Sequence, residues 1–312
     1  MCFVGFRFKK VPHSWGILFL SVFPKILAEI ILNCLFFAPM SLFIASLNSG
    51  SNGNCYYIGN EKEAVLVDAG ISCREIERRM KRLNLSMQKI KAVFISHEHT
   101  DHIRGVYSLV KKYYLPVYIT TPTLKNGRLF LEKHFVKEFR AHEPIAVGEL
   151  TVTAFPKLHD AIDPYSFTVF YNNINIGVLT DIGLPCENVI THFQKCHAAF
   201  LEANYDDEML DNGNYPFHLK KRIRSEYGHL SNRQALELFK KHRPSFMSHL
   251  LLSHLSQNNN CPKVVEELFV QHADGVRIIV ASRHQETEVY QVSSGASTAQ
   301  QYCGPSQLEI SF

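Results

Sequence analysis

Residues 92–102 read Ala-Val-Phe-Ile-Ser-His-Glu-His-Thr-Asp-His, an apolar run, Ala92–Ile95, that ends directly in three imidazoles and a carboxylate. A short apolar run of this kind fits a strand buried on both faces, as in sheets covered by helices. Side chains just beyond a strand end alternate, so His97, His99 and Asp101 are expected on one side, with His102 on the turn into the next helix. Loops at strand ends are where a rigid scaffold presents its chemistry. A chain with this segment needs a layered core of sheet and helix and one sheet edge left accessible.

The remaining sequence supplies such a core. β-type runs occur at Leu42–Leu47, Cys55–Ile58, Ala64–Val67, Val117–Thr120, Leu150–Phe155, Ser166–Phe170, Ile174–Leu179, Ala198–Leu201, Phe246–Leu252 and Val276–Val280. Helical patterns fall at 72–83, 103–112, 123–130, 220–225, 232–242 and 262–270. Strands and helices alternate without a low-complexity linker, which predicts one α/β domain over residues 41–292 with helices outside sheets. Hydrophobic residues at 46% and charged residues at 20% exclude a fibrous or wholly disordered chain. A net charge of +4 is too small to imply a nucleic-acid partner by itself.

The ends read differently. Arg7, Lys9 and Lys10 precede an apolar stretch from Trp15 to Pro39, interrupted by Pro24-Lys25 and Glu29. Residues 1–40 therefore read as a hydrophobic extension: a dispensable addition ahead of a start at Met40, a membrane-associated segment or a secretion signal. Residues 293–312 are small and polar and read as a loose tail. None of the eight cysteines forms a C-x-x-C pair, and scattered thiols fit a reducing, cytoplasmic setting.

The sixteen histidines are the unusual part of the composition, since histidine is the commonest metal ligand and the commonest acid/base catalyst. The cluster at 97–102 can serve two metal ions, but each ion needs three or four ligands. Further donors are expected at other strand ends, and His159, Asp181 and His254 each follow one. Asp181 can bridge two divalent cations at the spacing of about 3.5–4 Å typical of two-metal hydrolases. Asp68, in Val67-Asp68-Ala69-Gly70, is either an orienting partner for a ligand imidazole or a plain turn residue. Glu202, at the end of Ala198–Leu201, and His229, in Gly228-His229-Leu230-Ser231-Asn232, either pair for proton transfer or serve only as a cap and a packing residue.

Taken in order, the H-x-H-x-D-H segment, a later His, a Thr-Asp aspartate and a final strand-end His resemble the metallo-β-lactamase-fold superfamily. The resemblance implies an αββα four-layer sandwich with two zinc or manganese ions at one edge of the sheets. It assigns His97, His99 and His159 to one ion and Asp101, His102 and His254 to the other, with Asp181 between them. It also implies a metal-bridging hydroxide as nucleophile, with Asp101, Glu202 and His229 as the catalytic side chains. The Glu202/His229 pair is similar to that of the tRNA 3′-processing endonucleases. Asn48–Asn54, Ser96–His102, His159-Asp160-Ala161, Gly228–Asn232 and His254-Leu255-Ser256 look more closely like the WalJ/YycJ branch, compact bacterial exonuclease-like proteins implicated in DNA repair. Asp181 and His254 are only 73 residues apart, too few for the inserted second domain of the ribonuclease J group.

These features point to a dinuclear phosphodiesterase acting on nucleic acid, DNA favoured, with no protein partner indicated. Ser49, Ser51 and Asn52 in the Gly/Asn/Ser-rich loop, and Ser256 after His254, are the candidate substrate contacts. Eight basic residues lie between Tyr215 and Ser245, opposed within that segment only by Glu226 and Glu237, and read as a solvated face or as a surface tracking a phosphate backbone. The alternatives are a hydrolase of a small ester, thioester or lactone, and a metal-binding sensor without turnover. The latter would be favoured by Glu202 and His229 lying far from the metals. His249 reads as a core residue within its strand.

Overall fold

The computed structural model describes residues 41–294; the expectations for segment 1–40 and for the tail beyond Ser294 lie outside them. The chain first runs through β1 (Ser41–Asn48), β2 (Cys55–Gly59), β3 (Ala64–Val67), α1 (Cys73–Arg82), β4 (Ile90–Phe94), α2 (Thr100–Ile103), α3 (Val106–Tyr113), β5 (Val117–Tyr118), α4 (Thr121–Asn126) and β6 (Val136–Lys137). It continues through β7 (Pro144–Val147), β8 (Leu150–Pro156), β9 (Tyr165–Tyr171), β10 (Ile174–Leu179), α5 (Glu187–Phe193) and β11 (Ala198–Glu202). Then come α6 (Asp207–Asn212), α7 (Phe217–Ile223), α8 (Asn232–His242), β12 (His249–Ser253), α9 (Pro262–Val270), β13 (Arg277–Val280) and β14 (Tyr290–Ser293).

Two seven-stranded sheets result, ordered β14-β1-β2-β3-β4-β5-β6 and β13-β12-β11-β10-β9-β8-β7. Their strands read as unbroken apolar runs because the central ones are covered on both faces. Leu42, Ile44, Tyr56, Val65, Val67 and Phe94 of the first sheet meet Val152, Phe167, Val169, Ile176 and Phe200 of the second in one cluster. Across that layer Tyr56 lies 4.8 Å from Phe200 and Phe94 lies 5.6 Å from Phe167, measured between ring centroids. On the outer face of the first sheet, Leu47, Leu66 and Val93 pack with Ile76, Met80, Leu109 and Val110 of α1 and α3. The second sheet's outer face joins Leu201 and Leu252 with Phe193, Phe239 and Phe269 of α5, α8 and α9. The layers run helix, sheet, sheet, helix, as expected for an αββα sandwich.

Phe167 is fully buried between the sheets, with Phe94 and Phe139 both at 5.6 Å. Phe167→Ala is expected to lower unfolding stability by about 3–5 kcal/mol, the cost of a large core cavity. Urea unfolding measures it; a loss below about 1 kcal/mol would mean that the two sheets close around the vacated space.

Strand direction creates the functional edge. β10, β11, β12 and β13 run parallel, and β8 shares their direction through the antiparallel β9. In the first sheet β3, β4, β5 and β6 are likewise mutually parallel. Parallel strands end together, so the loops after β3, β4, β8, β10, β11 and β12 can gather along one edge.

Several boundaries differ from the sequence reading. The helical stretch at 103–112 starts at Thr100 and is split after Ile103, where Gly105 N–H turns to Ala69 O at 2.7 Å. The helix expected at 123–130 is α4, begun at Thr121 by the Thr120 side chain accepting from Thr123 N–H, with Pro122 in the first turn. The strand expected from Phe246 begins at His249, because Met247 N–H is held by Pro244 O in a turn. The edge strands β6, β7 and β14 and the helices α5 and α6 had no clear periodic signal. Ser293, read as the start of a tail, pairs with Ser41 as the last residue of β14. Among the described residues no helix is long and apolar enough to cross a membrane.

Candidate metal centre and active site

Three of the turns that build the site use left-handed backbone at polar residues. Asp68, Asp181 and His254, just beyond β3, β10 and β12, have φ of 60°, 56° and 57°. Asp and His tolerate this region better than most residues, and such strain persists where surrounding contacts hold it. Asp68 accepts from Ser96 N–H and Oγ–H, both at 2.8 Å. His254 N–H donates to Ser49 Oγ at 2.7 Å, and Lys157 Nζ holds Thr180 O at 2.7 Å beside Asp181. Gly70 permits the closest approach: a Cβ there would lie 1.6 Å from Asp101 O, so no other residue fits without moving the histidine-rich loop.

Most of the histidines are tied by one nitrogen, which aims the other into the cluster. His102 Nδ1–H donates to Asp68 Oδ2 at 2.7 Å, and His159 Nδ1–H donates to Gly228 O at 3.0 Å. His97 Nδ1 meets Ser96 Oγ at 2.9 Å, while its Nε2 lies 3.1 Å from His99 Nδ1. Asp68 is thus an orienting partner of an imidazole, the arrangement that fixes a ligand tautomer. Asp68→Asn is expected to weaken metal affinity about 10–100-fold with the fold retained, measured by competition with a chromophoric chelator. Unchanged affinity would reduce Asp68 to a turn residue.

The donors form adjoining sets whose nitrogen and oxygen atoms lie within 4.8 Å of one another. One is His97, His99 and His159; another is Asp101, His102 and His254; Asp181 joins His97 with His102, and also His254 with Glu202 and His229. Asp181 Oδ2 is 3.3 Å from His102 Nε2, and its Oδ1 is 3.8 Å from His159 Nε2 and 3.5 Å from His254 Nδ1. One expectation is corrected here. Asp101 does not share a side with His97 and His99 by strand alternation, because Thr100 already opens the turn of α2 and swings Asp101 toward His102 and His254.

The set fits a divalent metal. His159 Nε2, His254 Nε2 and Asp181 Oδ2 are buried and make no hydrogen bond, at a cost of about 1–3 kcal/mol each unless a ligand takes them. Electrostatics favour a cation in the same place. Burial alone would push His254 down, but Asp181, Asp101 and Glu202 raise it to about 10. Burial likewise opposes the charge on His102, and Asp181, Asp68 and Asp101 carry it well above the usual range. Asp101 is held at about 2 by His102 and His254 against its burial. For His159 burial is the largest effect and, with His229 and Lys157, brings it down to about 3 despite Asp181 and Asp160.

Glu202 and His229 are neither a lone cap nor mere packing. Glu202 is fully buried; its Oε1 accepts from His229 Nδ1–H at 2.7 Å and from His254 Nδ1–H at 3.0 Å. Its Oε2 also accepts from Ile182 N–H at 2.7 Å and Leu230 N–H at 3.2 Å, so it fixes three loops at once. Burial would raise its pKa, but His229 and His254 bring it to about 2. The His229 ring sits 5.2 Å from those of His159 and His254.

The expected substrate contacts divide. Ser51 and Asn52 are exposed and Ser256 is half-buried. Ser49 is buried, and its hydroxyl is engaged by His254 N–H and by Tyr56 OH at 2.9 Å, so it positions a turn rather than facing a substrate. Asn54, at the end of the Asn48–Asn54 segment, was given no role of its own and Lys157 carried no motif, yet both are buried against the cluster, Asn54 Nδ2 at 3.1 Å from His102 Nε2. A lysine closing the apolar strand β8 was the available signal for Lys157. The basic segment is also less bare than its sequence suggests. Arg222 pairs with Asp160, Arg224 with Asp211, Arg233 with Asp207, Lys241 with Glu237 and Arg243 with Asp274, four of these acids coming from outside the segment.

The chain is similar to several known proteins. The model of the β-lactamase superfamily domain matches residues 63–255. The chain is 33% identical over 226 residues to exodeoxyribonuclease YycJ of Bacillus anthracis, covering 71% of this chain and 85% of the relative. It is 31% identical over 232 residues to exodeoxyribonuclease WalJ of Streptococcus pneumoniae, covering 72% and 85%. The metallo-β-lactamase-fold protein YhfI from Bacillus subtilis superposes with a TM-score of 0.62 at 16% identity, over 80% of this chain and 99% of that one. The chain belongs to the metallo-β-lactamase-fold superfamily and is a metal-dependent hydrolase.

Proposed function

We propose that the chain is a two-ion phosphodiesterase of nucleic acid, an exonuclease-like enzyme acting on DNA. The observation that carries this reading is the buried Glu202 shared between His229 and His254. It sets an acid/base imidazole beside the metal donors, which the sensor alternative does not need. The names of the relatives supply the substrate class.

His97, His99 and His159 would hold one ion and Asp101, His102 and His254 the other, with Asp181 shared. When bound, divalent ions supply Lewis acidity toward phosphate oxygens and lower the pKa of coordinated water to about 7. The chain's own residues do the rest. Glu202 accepts the His229 Nδ1–H and so stabilises the imidazolium, whose Nε2–H would protonate the departing oxygen. Asp68 and Gly228 O fix the imidazoles of His102 and His159, and Lys157 holds the turn bearing Asp181. A rim built of Asn52, Ser256 and Gln257 suits an oxyanion-rich substrate better than an apolar ester.

The test is cleavage of end-labelled single- and double-stranded DNA and RNA by manganese- and zinc-reconstituted protein. Nucleotide release from DNA is expected, and no cleavage of any of the four substrates with either metal would overturn the proposal. Turnover of a thioester or lactone in its place would favour the small-ester alternative.

A further inference from the structure

We infer that Arg283 is an anion-binding residue at the rim of the site, taking a phosphate next to the one at the metals. The identity of that anion as a phosphate of a nucleic-acid strand rests on the nuclease reading. Arg283 lies just beyond β13, in a segment with no motif. Its neighbour Ser282 accepts from Ser49 N–H at 3.1 Å, and its own carbonyl accepts from Asn52 Nδ2 at 2.9 Å. Its guanidinium is held against the loop that follows β12: Nη1 donates to Gln257 Oε1 at 2.8 Å and Nη2 donates to Leu255 O at 3.1 Å. Leu255 follows the metal donor His254 directly. Gly50, with φ of 142°, leaves the room: a Cβ there would lie 2.9 Å from Nη2 and 3.3 Å from the Arg283 Cβ.

What sets this arginine apart is that it is half-buried yet lacks an ionic partner; among the described residues the other arginines without one, Arg74, Arg104 and Arg128, are exposed. Among the described residues Arg283 makes no ion pair, whereas Arg79, Arg82, Arg222, Arg224 and Arg243 each face a carboxylate. It is half-buried, and burial lowers its pKa with only Tyr215 opposing. A guanidinium keeps its charge in any protein and carries five N–H donors in a fixed fork. Two hydrogen bonds to neutral groups leave both the charge and the remaining donors available beside Asn52, Ser51 and Ser256. A planar fork of that kind suits a phosphate oxygen pair, and its place beyond Leu255 assigns it a flanking phosphate.

Thymidine 3′,5′-bisphosphate tests this, because it carries two phosphates at strand spacing and no diester to cleave. Its binding to the metal-loaded full chain is compared by calorimetry with that of thymidine 5′-monophosphate, in wild type, Arg283→Gln and Arg283→Lys. Wild type is expected to prefer the bisphosphate, and Arg283→Gln to lose about tenfold of that affinity while monophosphate binding and metal content hold. Arg283→Lys should recover part of the loss, since the charge stays and the fork does not. On single-stranded DNA, the slope of log KM against log salt should fall by about 1 in Arg283→Gln. Equal bisphosphate affinity in wild type and Arg283→Gln overturns the inference, as does metal loss from Arg283→Gln, which would make the residue a loop staple. If wild type cleaves no nucleic acid but bisphosphate binding still depends on Arg283, the nuclease reading falls and the anion site stands. If wild type cleaves DNA and Arg283→Gln changes neither binding nor salt slope, only the anion site falls.

Discussion

Asp181→Ala is expected to abolish hydrolysis, with a fall of at least about 10³-fold, and to cut metal content below two ions per chain. The size follows from the several kcal/mol that metal ions contribute to charge stabilisation, at about 1.4 kcal/mol per tenfold in rate. Asp181 is the carboxylate that touches both donor sets: Oδ2 reaches His102 at 3.3 Å, and Oδ1 reaches His159 at 3.8 Å and His254 at 3.5 Å. Its own pKa shows the same position, since burial would raise it and His254 and His102 hold it well below the usual range. Without it, imidazoles of both sets face each other across a buried gap with less negative charge to hold a cation. Elemental analysis of purified protein and cleavage assays with both metals check the two halves separately. An Asp181→Ala protein that keeps two ions and wild-type turnover would remove the bridging role.

His229→Ala is expected to lower kcat by about 10²–10⁴-fold, the usual contribution of a positioned acid/base group, with metal content unchanged. The side chain lies outside the sets His97/His99/His159 and Asp101/His102/His254; it adjoins Asp181 and His254 in a further set, where its hydrogen bond is to Glu202. Glu202→Gln should follow in kcat but with a wider effect, because the same carboxylate also holds His254, Ile182 N–H and Leu230 N–H. The pair of variants separates proton transfer from scaffolding. If His229→Ala loses metal as readily as Asp181→Ala, His229 belongs to the ligand set. If it keeps full kcat on an activated aryl phosphodiester but not on DNA, proton donation to the leaving oxygen is its role, since an aryl oxide leaves without help.

The site was more legible than its surroundings. His97, His99, Asp101, His102, His159, Asp181 and His254 stand out because each follows an apolar run, and a sheet with parallel strands brings such ends to one edge. The strands themselves were legible for a related reason: buried on both faces, they must be continuously apolar. Edge strands such as β6, β7 and β14 carry no such constraint, being short and half-exposed, and β14 finds its place only by pairing with β1 across the length of the domain.

Ionic partnership was the least legible. From the residues 215–245 alone, Arg222, Arg224 and Arg243 form part of a bare basic surface; in the fold they meet Asp160, Asp211 and Asp274. Ser49 and Ser51 sit two residues apart in one loop, yet one hydroxyl is buried beneath His254 and the other side chain is exposed.

The sequence by itself determined the chemistry available, a histidine- and aspartate-rich donor set at strand ends, because ligand type and strand-end position are local properties. Only the tertiary structure decided which donors share a set, that Asp68 and Glu202 orient imidazoles, that Lys157 is buried behind the cluster and that Arg283 faces the rim without a carboxylate. Those are relations between loops from opposite sheets, set by packing across the core, and no run of neighbouring residues encodes them.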